Sequence, residues 1–159
     1  MKKIAIIGAG ISGLFIANLF KENKNYKITI FEKKKLIELG EGYGIQLSTN
    51  SIKLLNEIGF NKVSKNDKFN PEKIDFYKIK EQKKICDLNI SEFNFENCKY
   101  TTLKRSTLVE FLKNRLDDEV IKYEHSIEKI EVKNQQISLR FNKNQNLIYD
   151  HLIISDGVF

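Results

Sequence analysis

Gly8, Gly10 and Gly13 fall in the run Gly8-Ala9-Gly10-Ile11-Ser12-Gly13, a G-x-G-x-x-G spacing. Glycines so arranged suit one chemical task, which is to bring backbone N–H groups against a phosphate. Gly8 permits a tight turn. Gly10 removes the side chain that would hold a pyrophosphate away from the main chain, and Gly13 lets the following helix pack closely on a strand. Glu32 lies 19 residues beyond Gly13. A carboxylate there accepts the hydroxyls of an adenosine ribose and repels a 2′-phosphate. Lys33, Lys34 and Lys35 follow at once. They read more simply as a solvated charged run than as a 2′-phosphate site. Alone, the glycine spacing is a weak signal, because a turn without a ligand uses the same residues.

The surrounding elements strengthen it. Ile4 to Ile7 is a short apolar run of the kind expected in a buried parallel strand. The glycine turn follows, then a helix over Leu14 to Glu22, then a second strand over Lys27 to Phe31 closed by Glu32. This order predicts a βαβ unit with a right-handed crossover. Residues 33 to 47 read as a loop punctuated by Gly40, Gly42 and Gly44. Ser48 to Ile58 is an amphipathic helix, with Ser48 or Asn50 as N-cap and Gly59 as its stop.

Ile74–Lys80 and Ile85–Ile90 are expected to pair as a hairpin, while residues 91 to 100 show no period. Leu108 to Leu116 reads as a helix opened by Thr107 and Glu110 in capping-box spacing. The pieces Val120–Tyr123, Ile127–Val132, Ile137–Phe141 and Leu147–Ser155 suggest an antiparallel meander inserted before a final strand. His125 and His151 are placed in these strands as structural or exposed residues. The adenine-dinucleotide fingerprint fits FAD and NAD equally. The absence of repeated βα units after the second strand favours FAD.

The chain has 159 residues and 41% hydrophobic content, enough for one domain with a core. Its formal charge of +6 comes with only three arginines, Arg105, Arg115 and Arg140, and the lysines are scattered. No nucleic-acid motif accompanies them, so nucleic acid is not an expected partner. Cys86 and Cys98 have neither zinc nor redox spacing, and no metal site is expected. They fit a reduced, cytoplasmic setting. No apolar stretch is long enough to span a bilayer as a helix. Glycines interrupt the apolar run after Lys3, which argues against a secretory signal.

Several segments together resemble the FAD-dependent aromatic hydroxylases, the family of para-hydroxybenzoate, salicylate and ubiquinone-pathway hydroxylases. They are Ile6 to Gly13, Phe31-Glu32-Lys33, Gly42-Tyr43-Gly44-Ile45-Gln46-Leu47-Ser48-Thr49-Asn50 through Phe60, Leu103-Lys104-Arg105-Ser106-Thr107-Leu108 with Phe111-Leu112, and Leu152 through Asp156-Gly157-Val158. The resemblance implies an α/β, Rossmann-type FAD-binding domain of the glutathione-reductase-like kind. It would carry an inserted β-meander and the start of a substrate-domain β-sheet, with residues 70–100 contributing strands on the substrate side.

The same resemblance implies cofactor contacts at Gly8, Gly10, Ser12, Gly13, Glu32 and Lys33. It places Gly44, Ile45 and Gln46 along the flavin and Arg105 on the pyrophosphate–ribityl region. Asp156 and Gly157 match the motif implicated in FAD and NAD(P)H handling. The implied activity is hydroxylation of an aromatic or related ring, with FAD as cofactor, NADH or NADPH as transient co-substrate and O2 as oxidant. Relatives built on the same FAD half include reductases and halogenases, and a non-catalytic dinucleotide-binding module is the rival from another class. Family chains run to more than twice this length. The expectation is therefore an N-terminal portion, 1–159, of a longer flavoprotein, inactive by itself, with catalytic residues unassigned.

Overall fold

The computed structural model describes residues 1–40 and 43–157, so Gly42 and Val158 of the resembling segments lie outside the described residues. In chain order the elements are β1 (Lys2–Ile7), α1 (Ile11–Phe20), β2 (Tyr26–Phe31), β3 (Gly44–Leu47), α2 (Thr49–Glu57), β4 (Lys68–Phe69), β5 (Lys73–Lys78) and β6 (Lys83–Asn89). There follow β7 (Thr101–Lys104), α3 (Arg105–Lys113), β8 (Ile121–Lys122), β9 (Ile127–Lys133), β10 (Gln136–Phe141), β11 (Gln145–Tyr149) and β12 (His151–Ile154), with short 3-10 turns between several of them. The chain divides into two units, one made of residues before 41 and after 107, the other of the residues between.

The first unit is built on a parallel sheet in the order β12-β1-β2-β8. Successive residues of β1 point to opposite faces. Ala5 and Ile7 face the meander β11-β10-β9, joining Phe31, Leu139, Phe141 and Tyr149 in one buried cluster. The Phe31 ring lies 4.3 Å from that of Phe141, and Tyr149 meets it edge-on at 5.8 Å. Ile4, Ile6 and Ile30 face the other way, where α1 packs on β1 and β2.

The α1–α3 contact is held by a polar bridge: buried Asn18 donates from Nδ2 to the carbonyls of Leu14 and Leu112, each at 2.9 Å. Leu14 and Ala17 of α1, and Leu108, Val109 and Leu112 of α3, are fully buried. Helices, parallel sheet and meander form three layers. This confirms the expected βαβ start and the inserted meander.

The run from Leu147 to Ser155 is not one strand. It breaks at Asp150, with Tyr149 opposite Ile137 in the meander and His151 opposite Ile4 in the parallel sheet. Asp150 makes the transfer by hooking the main chain of Lys3. Its N–H donates to the Lys3 carbonyl at 3.0 Å, and its carboxylate accepts the Lys3 N–H at 2.6 Å. His125 also departs from expectation, lying in the loop between β8 and β9. Its ring packs on Phe31 and Phe141 and bonds the Tyr123 carbonyl and Gln145, a structural role.

In the second unit β7 is the middle strand of an antiparallel sheet ordered β3-β7-β4. Residues 44–47, expected in a loop, are therefore a strand, because Thr101–Lys104 supplies the hydrogen-bonding partner. Ile52, Leu55 and Ile58 form the buried side of α2 and its end, and Gly59 takes the left-handed conformation (φ 87°) expected of a stop.

The expected hairpin is β5–β6, a separate two-stranded ribbon with its turn at residues 79–82. Its faces differ. Ile74, Phe76, Cys86 and Leu88 share one face, while Lys73, Asp75, Lys84 and Asp87 form ion pairs on the other. Hydrogen bonding from Lys84, aided by Lys73, lowers the Asp87 carboxyl to about 2. The same lysines lower Asp75, and Asp87 raises Lys84.

Candidate functional site

The glycine turn is built by contacts from opposite sides. Gly8 has φ +97°, which L side chains rarely adopt, and a Cβ there would lie 2.5 Å from the Ser155 carbonyl oxygen and 2.9 Å from Asp156 Cα. A Cβ on Gly13 would run into the Gly8 carbonyl oxygen and lie 2.8 Å from Ser155 Oγ. The helix thus approaches the end of β1 at backbone distance. Gly10 is different. Its backbone is extended (φ −77°, ψ −176°), and a Cβ would meet nothing within 4 Å. The fold leaves room for a side chain at Gly10, and the sequence keeps that space empty.

Helix α1 opens at this space. Its first internal bond is from Leu14 N–H to the Gly10 carbonyl at 3.0 Å. The N–H groups of Ile11, Ser12 and Gly13 precede that ladder. No side chain caps the helix and its first turn holds no acid. The helix dipole and these donors favour an anion at that point. Ser12 is exposed there.

Glu32, at the end of β2, is partly buried and fixed at both oxygens. Oε2 accepts the Ala9 N–H at 2.9 Å and Oε1 accepts the Lys34 N–H at 3.0 Å. Each oxygen keeps a lone pair for a further donor. Lys33 is exposed beside it. Asp156 and Gly157, also exposed, follow β12 at the same end of the parallel sheet, Gly157 with φ +90°. One unit therefore gathers Gly8, Gly10, Ser12, Gly13, Glu32, Lys33, Asp156 and Gly157 at the carboxyl ends of adjacent strands, where open α/β sheets bind ligands.

The second unit gathers the others. Gly44, Ile45 and Gln46 lie along β3 opposite Lys104, Leu103 and Thr102. Arg105 starts α3, its N–H donating to the Tyr43 carbonyl at 3.1 Å and its guanidinium 5.9 Å from the Tyr43 ring centroid. Gln46 Oε1 accepts the Tyr100 hydroxyl at 2.8 Å. The helix begins at Arg105, so Thr107 and Glu110 lie inside it and form no capping box. A planar, partly exposed guanidinium beside a strand edge suits a bidentate oxyanion.

Sequence reasoning missed Ser155 and Tyr43. A lone small polar residue between Ile154 and Asp156 was the one available sign of the first. Among the described residues no cluster of His, Cys, Asp and Glu could hold a metal, and no helix is long and apolar enough to cross a membrane. A cleft of about 870 Å³, lined by Tyr26, Thr29, Phe31, Lys122, His125 and Tyr149 among others, lies along the sheet and touches none of the glycine-turn residues.

Residues 6–37 match the family model of the NAD(P)-binding Rossmann-like domain. Compared with curated protein sequences, the chain matches none. Solved structures match over almost all of it. HpxO of Klebsiella pneumoniae, complexed with FAD and uric acid, superposes with a TM-score of 0.80 at 17% identity, over 98% of this chain and 39% of that one. The 2,6-dihydroxypyridine-3-hydroxylase of Arthrobacter nicotinovorans gives 0.78 at 15% identity, over 98% and 37%. The tetracycline destructase Tet(51) gives 0.73 at 20% identity, over 99% and 39%. The chain has the fold that these proteins use for about two fifths of their length.

Proposed function

We propose that this chain is the FAD-binding portion of a longer, NAD(P)H-dependent flavoprotein monooxygenase that hydroxylates an aromatic or related ring. The carrying observation is Gly10: an extended backbone facing open space, at the mouth of an uncapped helix, next to Ala9, whose N–H Glu32 holds. These residues fit the ADP half of FAD. The N–H groups opening α1 would hold the pyrophosphate, Glu32 would accept ribose hydroxyls with its remaining lone pairs, and Arg105 would supply a forked cation for phosphate oxygens. Gly44 to Gln46 would present β-strand backbone to the flavin. Asp156 and Gly157 would bound the cofactor from the end of β12.

Bound FAD would supply the redox chemistry, accepting hydride from NADH or NADPH and activating O2 for transfer to the ring. The chain's own residues bind and orient. The β5–β6 hairpin is assigned to the substrate side, where its apolar face, with Phe76 47% and Leu88 44% exposed, is suited to further strands. Unpaired Cys86 and Cys98 fit a reduced, cytoplasmic setting. The test is a flavin titration followed by fluorescence quenching, on wild type and Gly10→Val. Wild type should bind FAD, and the variant should fold but bind at least about tenfold more weakly, because its side chain fills the pyrophosphate space. Equal binding by both proteins, or none by wild type, defeats the assignment.

A further inference from the structure

Ser155 directly follows β12, and its polar atoms are all directed at the glycine turn or the strand leading into it. Its N–H donates to the Ile7 carbonyl at 2.8 Å. Its hydroxyl donates to the same carbonyl at 2.9 Å and lies 3.3 Å from the Gly8 carbonyl oxygen. Its own carbonyl oxygen occupies the space a Cβ on Gly8 would need, and its Oγ occupies part of the space a Cβ on Gly13 would need. Two of the motif's glycines are thus required partly by Ser155, a residue 147 positions from Gly8.

We propose that Ser155 is a positioning residue. Its hydroxyl fixes the carbonyls of Ile7 and Gly8, and so presets the turn whose N–H groups receive a pyrophosphate. It also makes the turn and the Asp156–Gly157 segment one mechanical unit, since Asp156 Cα abuts Gly8 from the same strand end. Ile7 retains the Ser155 main-chain donor when the hydroxyl is removed. Gly8 does not, so the Gly8 carbonyl is the group that loses its contact, and its peptide is then held by the Ala9 N–H on Glu32 alone. The ligand named, a dinucleotide pyrophosphate, rests on the FAD reading. The mechanical role does not.

The experiment separates the two. Amide hydrogen exchange of the ligand-free protein is compared for wild type, Ser155→Ala and, as a neighbouring control, Ile154→Ala. Ser155→Ala should speed exchange at Ala9, whose N–H shares a peptide with the Gly8 carbonyl, by at least about tenfold, with Leu139 in the meander unchanged, as for a local opening rather than global unfolding. Ile154→Ala should leave Gly8 and Ala9 protected. With FAD added, Ser155→Ala should weaken binding and move the ³¹P resonances of the bound pyrophosphate.

A double-mutant cycle gives a second readout. Gly13→Ala should cost less in the Ser155→Ala background, because a released Gly8 carbonyl can tilt away from the new methyl group. Unchanged exchange at Ala9 together with strict additivity would overturn the proposal. Failure of wild type to bind FAD, with the exchange effect present, would overturn only the FAD reading.

Discussion

The Glu32 carboxylate accepts the Ala9 N–H at 2.9 Å, so the acid that closes β2 also holds the middle of the glycine turn. Its other oxygen takes the Lys34 N–H. The side chain is therefore a structural brace as well as the candidate ribose acceptor. A Glu32→Gln variant, usually regarded as mild, should not be mild here. Glutamine offers one oxygen where two N–H donors must be met, so its amide NH2 confronts one of them. FAD affinity should fall by about 1–3 kcal/mol, and Ala9 or Lys34 should lose exchange protection. Titration showing unchanged affinity would remove Glu32 from the ribose.

Gly10 should separate binding from folding. The backbone there is accessible to any residue and the Cβ direction is empty. Gly10→Ala should fold and lose only about 0.5–1 kcal/mol, the cost of alanine as a poorer N-cap than glycine, while FAD retention declines. Gly13→Ala should instead destabilise the fold itself, because its methyl group meets the Gly8 carbonyl. Thermal melts of the two variants that coincide would contradict this division.

Arg105→Lys keeps the charge and loses the planar fork and the face it turns to Tyr43. Flavin release on dilution should quicken, with the helix content of α3 unchanged by circular dichroism. Release at the wild-type rate would show that Arg105 does not hold a phosphate.

The hairpin supplies a pH prediction. Asp87 is held at about 2 against an ordinary 3.8, first by Lys84 and then by Lys73. A carboxyl lowered on folding contributes stability that is complete above its unfolded value and lost as pH falls through the folded one. Hairpin order should therefore weaken between about pH 4 and pH 2, and Lys84→Ala should bring the Asp87 titration back toward 3.8 by carboxyl ¹³C NMR. These groups are exposed, so added salt should shrink the effect. An Asp87 midpoint that ignores Lys84 would refute the pairing.

Local chemistry was readable from the sequence, and long-range chemistry was not. The strand–turn–helix order, the position of Glu32 at the end of β2 and the left-handed Gly59 depend on neighbours within a few dozen residues. Strand β3 escaped because Gly44–Leu47 is short and its partner lies at Thr101–Lys104. The break at Asp150 escaped because the apolar run continues through it, and only the Lys3 main chain reveals the change of sheet. Ser155 escaped for the same reason: its importance comes from Ile7, Gly8 and Gly13. Thr107 and Glu110 have capping spacing, but β7 leads directly into a helix already begun at Arg105.

Strand β1 has β2 on one side and β12 on the other, and β12 joins through contacts 147 residues apart in sequence, Lys3 with Asp150. On the ribosome β1, α1 and β2 can associate early, whereas the other edge of β1 waits for residue 151. At synthesis rates of about 5–20 residues per second that wait is roughly 7–30 s. During it a strand of Ile4, Ala5, Ile6 and Ile7 presents unpaired backbone groups beside apolar side chains. The nascent chain thus passes through a period, set by topology, in which one edge of β1 lacks its partner. Substitutions that slow docking of β12, at Asp150 above all, should lower the yield of folded protein during synthesis more than they lower the melting temperature of the molecules that do fold.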